Sequence, residues 1–73
     1  MNKNAFKAVM IYNGDDQKAV ADAIGVSPQT VSDKLNGVTD FKQSEIQTLA
    51  ERYKLTPAQV DEIFFGGELW NGA

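Results

Sequence analysis

The sequence predicts an all-α fold, a compact bundle of five short helices in which the second and third meet at a tight corner. Three observations predict it. Apolar residues recur three and four apart along successive segments, the stripe of a half-buried helix. Two segments open on a hydroxyl followed by proline, Ser27-Pro28 and Thr56-Pro57, which pairs a capping side chain with a residue suited to the first helical position. Gly14, Gly25, Gly37 and Gly66 fall where the segments stop. Residues 1–73 are expected to form a single domain, with a short flexible N-terminus at 1–3 and an aromatic C-terminal tail at 66–73.

Helix 1 is expected over Asn4 to Tyr12, where Phe6, Val9 and Met10 share one face and Asn13-Gly14 supplies the stop. Asp16 is a better N-cap for helix 2 than Asp15, because it puts Gln17 at N1 and aligns Val20, Ala21 and Ile24. Gly25 ends that helix, and Ser27 with Pro28 starts helix 3, which runs to about Leu35. Asn36-Gly37 would signal a hairpin between alternating strands, but helical patterns flank it, so a left-handed helix end is expected. Val38 to Phe41 is a connector, with Phe41 plugging the core. Ile46, Leu49, Ala50 and Tyr53 mark helix 4, whose start is ambiguous because Asp40 and Lys42 are both imperfect caps. Thr56-Pro57-Ala58-Gln59 reads as a capping box, so helix 5 starts there, buries Val60, Ile63 and Phe64, and stops at Gly66-Gly67.

The corner at Gln17 to Asn36 is the part that suggests a use. Val20, Ala21, Ile24, Val26, Val31 and Leu35 face one shared core, which leaves Pro28, Gln29, Thr30, Ser32 and Asp33 outward. Two short helices joined by a tight turn are the helix-turn-helix arrangement, whose second helix enters a nucleic-acid groove. Short, hydrogen-bonding side chains on that helix are what reading base edges requires. The small residues have steric reasons: a side chain larger than Ala21 would hold the helices apart, and Gly25 permits the positive φ of a sharp corner. A compact helical domain that never meets DNA needs such residues as well.

Composition bounds the function classes. A chain of 73 residues buries only about 60% of the surface its unfolded form exposes, so its stability is expected to be marginal. The 42% hydrophobic and 23% charged fractions are those of an ordinary globular domain. With neither Cys nor His, the usual general bases, soft metal ligands and strong nucleophiles are missing, so no enzyme, metal or cofactor is expected. The apolar runs are too short for a membrane span or a secretory signal, which makes a cytoplasmic protein the expectation.

Charge argues against a simple DNA binder. Seven Lys and Arg against ten Asp and Glu give a net charge of −3, whereas nucleic-acid binders carry a basic excess or stripe. Up to Asn36, however, Lys3, Lys7, Lys18 and Lys34 balance Asp15, Asp16, Asp22 and Asp33, so the acidity lies in the second half.

Taken together, the five helices and the corner resemble the lambda repressor and Cro-type helix-turn-helix family over nearly the whole chain. Gln17 at the start of helix 2, Ala21 four later, Gly25 at the turn and Val31 in the middle of helix 3 occupy that family's pattern positions. The run from Gly25 to Ser32, closing with Leu35-Asn36-Gly37, also resembles the lac repressor headpiece family; the full helix before the corner and the two after it favour the first. The Phe64-Phe65 ending of helix 5 looks like small phage and prophage regulators of that family. The resemblance implies a sequence-specific regulator of double-stranded DNA, a phage-type repressor binding as a homodimer, with no membrane or small-molecule partner.

On that reading Gln29 is the best base reader, since its amide can pair bidentately with adenine N6 and N7. Thr30 and Ser32 contact bases or phosphate, Thr30 having the alternative of supporting the Ser27 cap. Pro28 offers apolar contact to a thymine methyl or simply starts the helix, and Asp33 either accepts from cytosine N4 or repels phosphate. Gln17, Lys18, Ser27, Lys34, Asn36, Thr39 and Lys42 are the phosphate candidates. Lys34 is expected to extend its stem over apolar surface. Phe65, Leu69 and Trp70 form either a dimer surface or a flap completing the small core. The alternative function is a protein-interaction module on the same scaffold, which binds another regulator and not DNA; the acidic balance and Asp33 motivate it.

Overall fold

The computed structural model describes residues 1–66. Those residues are all helix and turn: α1 (Lys3–Tyr12), α2 (Gln17–Ile24), α3 (Pro28–Leu35), α4 (Gln43–Tyr53) and α5 (Pro57–Phe65). α2 packs on α3 and α4, while α5 closes the bundle against α1 and α4. The expected boundaries hold, with α1 starting one residue early.

Local chemistry explains the boundaries. Asp16 accepts from the Ala19 N–H, Ser27 from the Thr30 N–H and Thr56 from the Gln59 N–H, each side chain filling an orphan donor of its first turn. Gln59 returns the favour at the Thr56 N–H, 2.8 Å away, which completes the capping box. Asn2 caps α1 at the Ala5 N–H, and its own N–H donates to the Ile63 carbonyl at 2.8 Å. That bond links the residue before α1 to α5. Lys42 settles the ambiguous start of α4: it has no acceptor of its own, but Glu45 reaches back to its N–H at 2.8 Å.

Gly25 ends α2 at φ +73° and Gly37 follows α3 at φ +78°. No atom stands within 4 Å of a Cβ built at either position, so backbone conformation rather than space demands glycine there. At the end of α3, the Gly37 N–H donates to the Lys34 carbonyl and the Val38 N–H to the Asp33 carbonyl, the paired bonds of a Schellman stop. The left-handed end expected at Asn36-Gly37 is therefore present.

The core gathers Phe6 and Met10 of α1, Val20 and Ala21 of α2, Val31 and Leu35 of α3, Leu49 and Tyr53 of α4, and Ile63 and Phe64 of α5. Ile24, Val26, Phe41, Ile46 and Val60 pack against it partly buried. Phe41 performs the plugging role: its ring lies 5.7 Å from Phe6 and 5.4 Å from Phe64. Leu35 is buried at the end of α3, so Leu35→Ala is expected to lose about 2 to 5 kcal/mol of stability through lost burial and an unfilled cavity. Urea unfolding of the variant checks this; a loss below about 1 kcal/mol, the range of an exposed-site change, contradicts it.

Candidate nucleic-acid interface

α3 has two faces. Val31, Lys34 and Leu35, at i, i+3 and i+4, point into the bundle and are buried. Gln29, Ser32, Asp33 and Asn36, at i, i+3, i+4 and i+7 on the opposite side, are half-buried or exposed. Hydrogen bonds pair them along this outward row, Gln29 with Asp33 and Ser32 with Asn36. Gln29 Nε2 donates to Asp33 Oδ1 at 3.1 Å, Asn36 Nδ2 to Ser32 Oγ at 3.4 Å, and Lys3 Nζ to Asn36 Oδ1 at 2.7 Å. Pro28 is exposed at the first position of α3. Thr30 turns toward the cap, its hydroxyl 2.9 Å from that of Ser27.

Lys34 is a correction. Expected among the phosphate contacts, it lies only 5% exposed, with its ammonium 2.9 Å from Glu45 Oε1 and 2.9 Å from the Asp40 carbonyl. It also sits 5.6 Å from the centre of the Phe41 ring. The physical reason is position: Lys34 is three residues from Val31 and adjacent to Leu35 on the inward stripe, so its stem is committed to the core and its charge needs an internal partner. Burial acts to raise the Glu45 carboxyl, but the Lys42 N–H and the Lys34 ammonium outweigh it and hold the group below the ordinary range.

The remaining candidates stand at the rim. Gln17 is half-buried and Lys18 exposed in the first turn of α2, beside the Asp16 carboxylate that occupies the N-cap. Ser27, Asn36, Thr39 and Lys42 are exposed. Phe65 is 37% exposed at the end of α5, beside a groove of about 550 Å³ lined in part by Phe41, Ile46, Ala50 and Val60. Leu69 and Trp70 lie outside the described residues. Lys3, which sequence reasoning left unassigned, is the cation the fold brings to the outward row; its distance of 33 residues from Asn36 hid the pairing.

A second charge cluster ties the segment before α2 to the end of α4. Arg52 grips Asp15 with two bonds, Nε at 2.8 Å and Nη2 at 3.0 Å, and the Tyr53 hydroxyl donates to the same carboxylate at 2.7 Å. These donors, Arg52 foremost and Tyr53 next, hold the Asp15 carboxyl down at about 2, against an ordinary value of 3.8. Burial, reinforced by the bond to Asp15, pushes the Tyr53 hydroxyl up to about 12. Because the folded-state carboxyl titrates lower than the unfolded one, the stabilisation is fully present above pH 3.8 and drains away as pH falls through about 2. The stability gap between wild type and Asp15→Asn, measured by urea unfolding, should therefore shrink between pH 5 and pH 2; a constant gap would refute the account.

With Lys34 and Asp15 both paired across the bundle, Lys3, Lys7 and Lys18 face Asp16, Asp22 and Asp33 in the first half of the chain, still a balance of zero. A helix-turn-helix family model matches residues 9–60, more than half of the chain and all of α2, α3 and α4. The chain belongs to the lambda repressor and Cro type of helix-turn-helix family. No curated protein and no solved structure matches it at a significant level. In helix-turn-helix proteins the second helix of the corner is the one that enters the major groove, and here that helix is α3. DNA-binding regulation is the activity of this family. Among the described residues, no helix is long and apolar enough to cross a membrane.

Proposed function

We propose that this protein is a sequence-specific transcriptional repressor of phage or prophage type, which occupies an operator by inserting α3 into the major groove as a homodimer. The observation that carries the reading is the outward row of α3, where Gln29, Ser32, Asp33 and Asn36 present hydrogen-bonding groups in register. Gln29 is the principal base reader, Pro28, Thr30, Ser32 and Asp33 frame it, and Gln17, Lys18, Ser27, Asn36, Thr39 and Lys42 hold backbone phosphates, with Lys3 added. The dimer follows from charge: one copy brings so few cations that its affinity is weak. Phe65 and the groove it helps to line are the candidate surface for the second copy, with Leu69 and Trp70 the further candidates by sequence.

Selection from random duplexes at low salt tests this. Enrichment of a site with two symmetric half-sites is expected, since operator symmetry mirrors a two-fold protein. The expected slope of log K against log salt is about −2.7 per monomer, from three lysines at about −0.9 each. No enrichment at micromolar protein would overturn the DNA reading. Light scattering showing the same monomeric mass for wild type and Trp70→Ala would remove the dimer.

One observation favours a second reading, in which the domain binds another regulator and not DNA. With Lys34 turned inward, α3 exposes an acid and no cation. Ile11 and Tyr12, 72% and 89% exposed, meanwhile place apolar surface on α1.

A further inference from the structure

The bond between Gln29 and Asp33 constrains more than the helix. A carboxylate has no proton to give, so the amide nitrogen of Gln29, and not its oxygen, faces Asp33 at 3.1 Å. Free, that amide offers two N–H donors and one oxygen acceptor. Engaged, it has one donor and one acceptor left. Adenine presents N7 as an acceptor and N6 as a donor in the major groove, which matches that remainder; guanine presents two acceptors, N7 and O6. A guanine edge would also bring its two acceptors beside the lone pairs of the Asp33 carboxylate. The turn after α3 holds the Asp33 backbone, the Val38 N–H donating to its carbonyl at 2.9 Å, and the residue is half-buried.

We propose that Asp33 is a specificity-determining residue, which orients the Gln29 amide so that the base pair it meets is read as adenine and guanine is rejected. The proposal rests on the DNA reading above. It makes the acid on the reading helix part of the recognition rather than a defect in it, since the carboxylate acts by restricting its neighbour.

The test uses the intact chain and the duplex selected by the wild type. Fluorescence anisotropy compares that duplex with copies in which each adenine in turn is replaced by guanine, for wild type, Gln29→Ala, Asp33→Ala and Asp33→Asn. The wild type is expected to prefer adenine at one position per half-site by about tenfold or more. Gln29→Ala loses that preference. Asp33→Ala lets the preference fall by about fivefold or more, because the released N–H serves the second acceptor of guanine. Asp33→Asn, which keeps an acceptor oxygen at the same reach, retains the preference and shows that the hydrogen bond matters more than the charge. An Asp33→Ala protein with the wild-type preference overturns the proposal while leaving the DNA reading standing, and so does an Asp33→Asn protein no more selective than Asp33→Ala. If the wild type selects no duplex, the DNA reading falls and the proposal falls with it.

Discussion

Lys34→Ala is expected to cost about 3 to 5 kcal/mol of folding free energy, the range for removing one partner of a buried ion pair. The substitution strands Glu45, 8% exposed, and the Asp40 carbonyl, both of which now accept from the ammonium. The whole domain has only roughly 4 to 11 kcal/mol to lose, at about 0.05 to 0.15 kcal/mol for each of 73 residues. The substitution therefore removes between about a quarter and all of that stability. The control is Lys34→Met with Glu45→Gln. Methionine restores the apolar stem, and glutamine removes the stranded charge while keeping the oxygen that caps the Lys42 N–H. This pair is expected to return within about 1 to 2 kcal/mol of wild type, since a buried ion pair replaced as a unit is often near neutral. Urea unfolding measures both variants. A loss below about 1 kcal/mol for Lys34→Ala, the value of an exposed pair, would show that the ammonium is solvated.

The burial of Lys34 also shows where sequence reading reaches its limit. Boundaries were legible because caps and glycine stops are local: Asp16, Ser27 and Thr56 each act on an N–H three residues away. The inward face of α3 was legible from Val31 and Leu35. Lys34 belongs to the same stripe, and its spacing said so, but its charge pointed outward to phosphate; only a carboxylate on another helix resolves the conflict. Glu45, eleven residues on, carries no mark in the sequence as that partner. Lys3 with Asn36 and Arg52 with Asp15 are likewise products of tertiary packing, 33 and 37 residues apart. The candidate site divides in the same way. Its outward residues follow from helical period, whereas the bond that turns the Gln29 amide depends on side-chain conformation.

Phe6→Ala is the other substitution expected to bring the domain near its limit, at about 3 to 5 kcal/mol. Phe6 is 1% exposed, with its ring 5.7 Å from Phe41 and 5.9 Å from Phe64, edge-on to the latter. It joins α1 to the connector before α4 and to α5, so the cavity opens where three segments meet and cannot be closed by one helix shifting. Phe6→Leu, which keeps most of the volume, should cost less, in the range of about 1.5 kcal/mol expected of conservative core swaps. The effect should also reach α3, because Phe41 is held between Phe6 and the Lys34 ammonium. If Phe41 transmits strain between them, Phe6→Leu and Lys34→Met will not be additive, and a double-mutant cycle should show a coupling of about 0.5 kcal/mol or more. Additivity within about 0.3 kcal/mol would mean that Phe41 relaxes independently toward each neighbour. The orientation of α3 would then be set by Val31 and Leu35 alone.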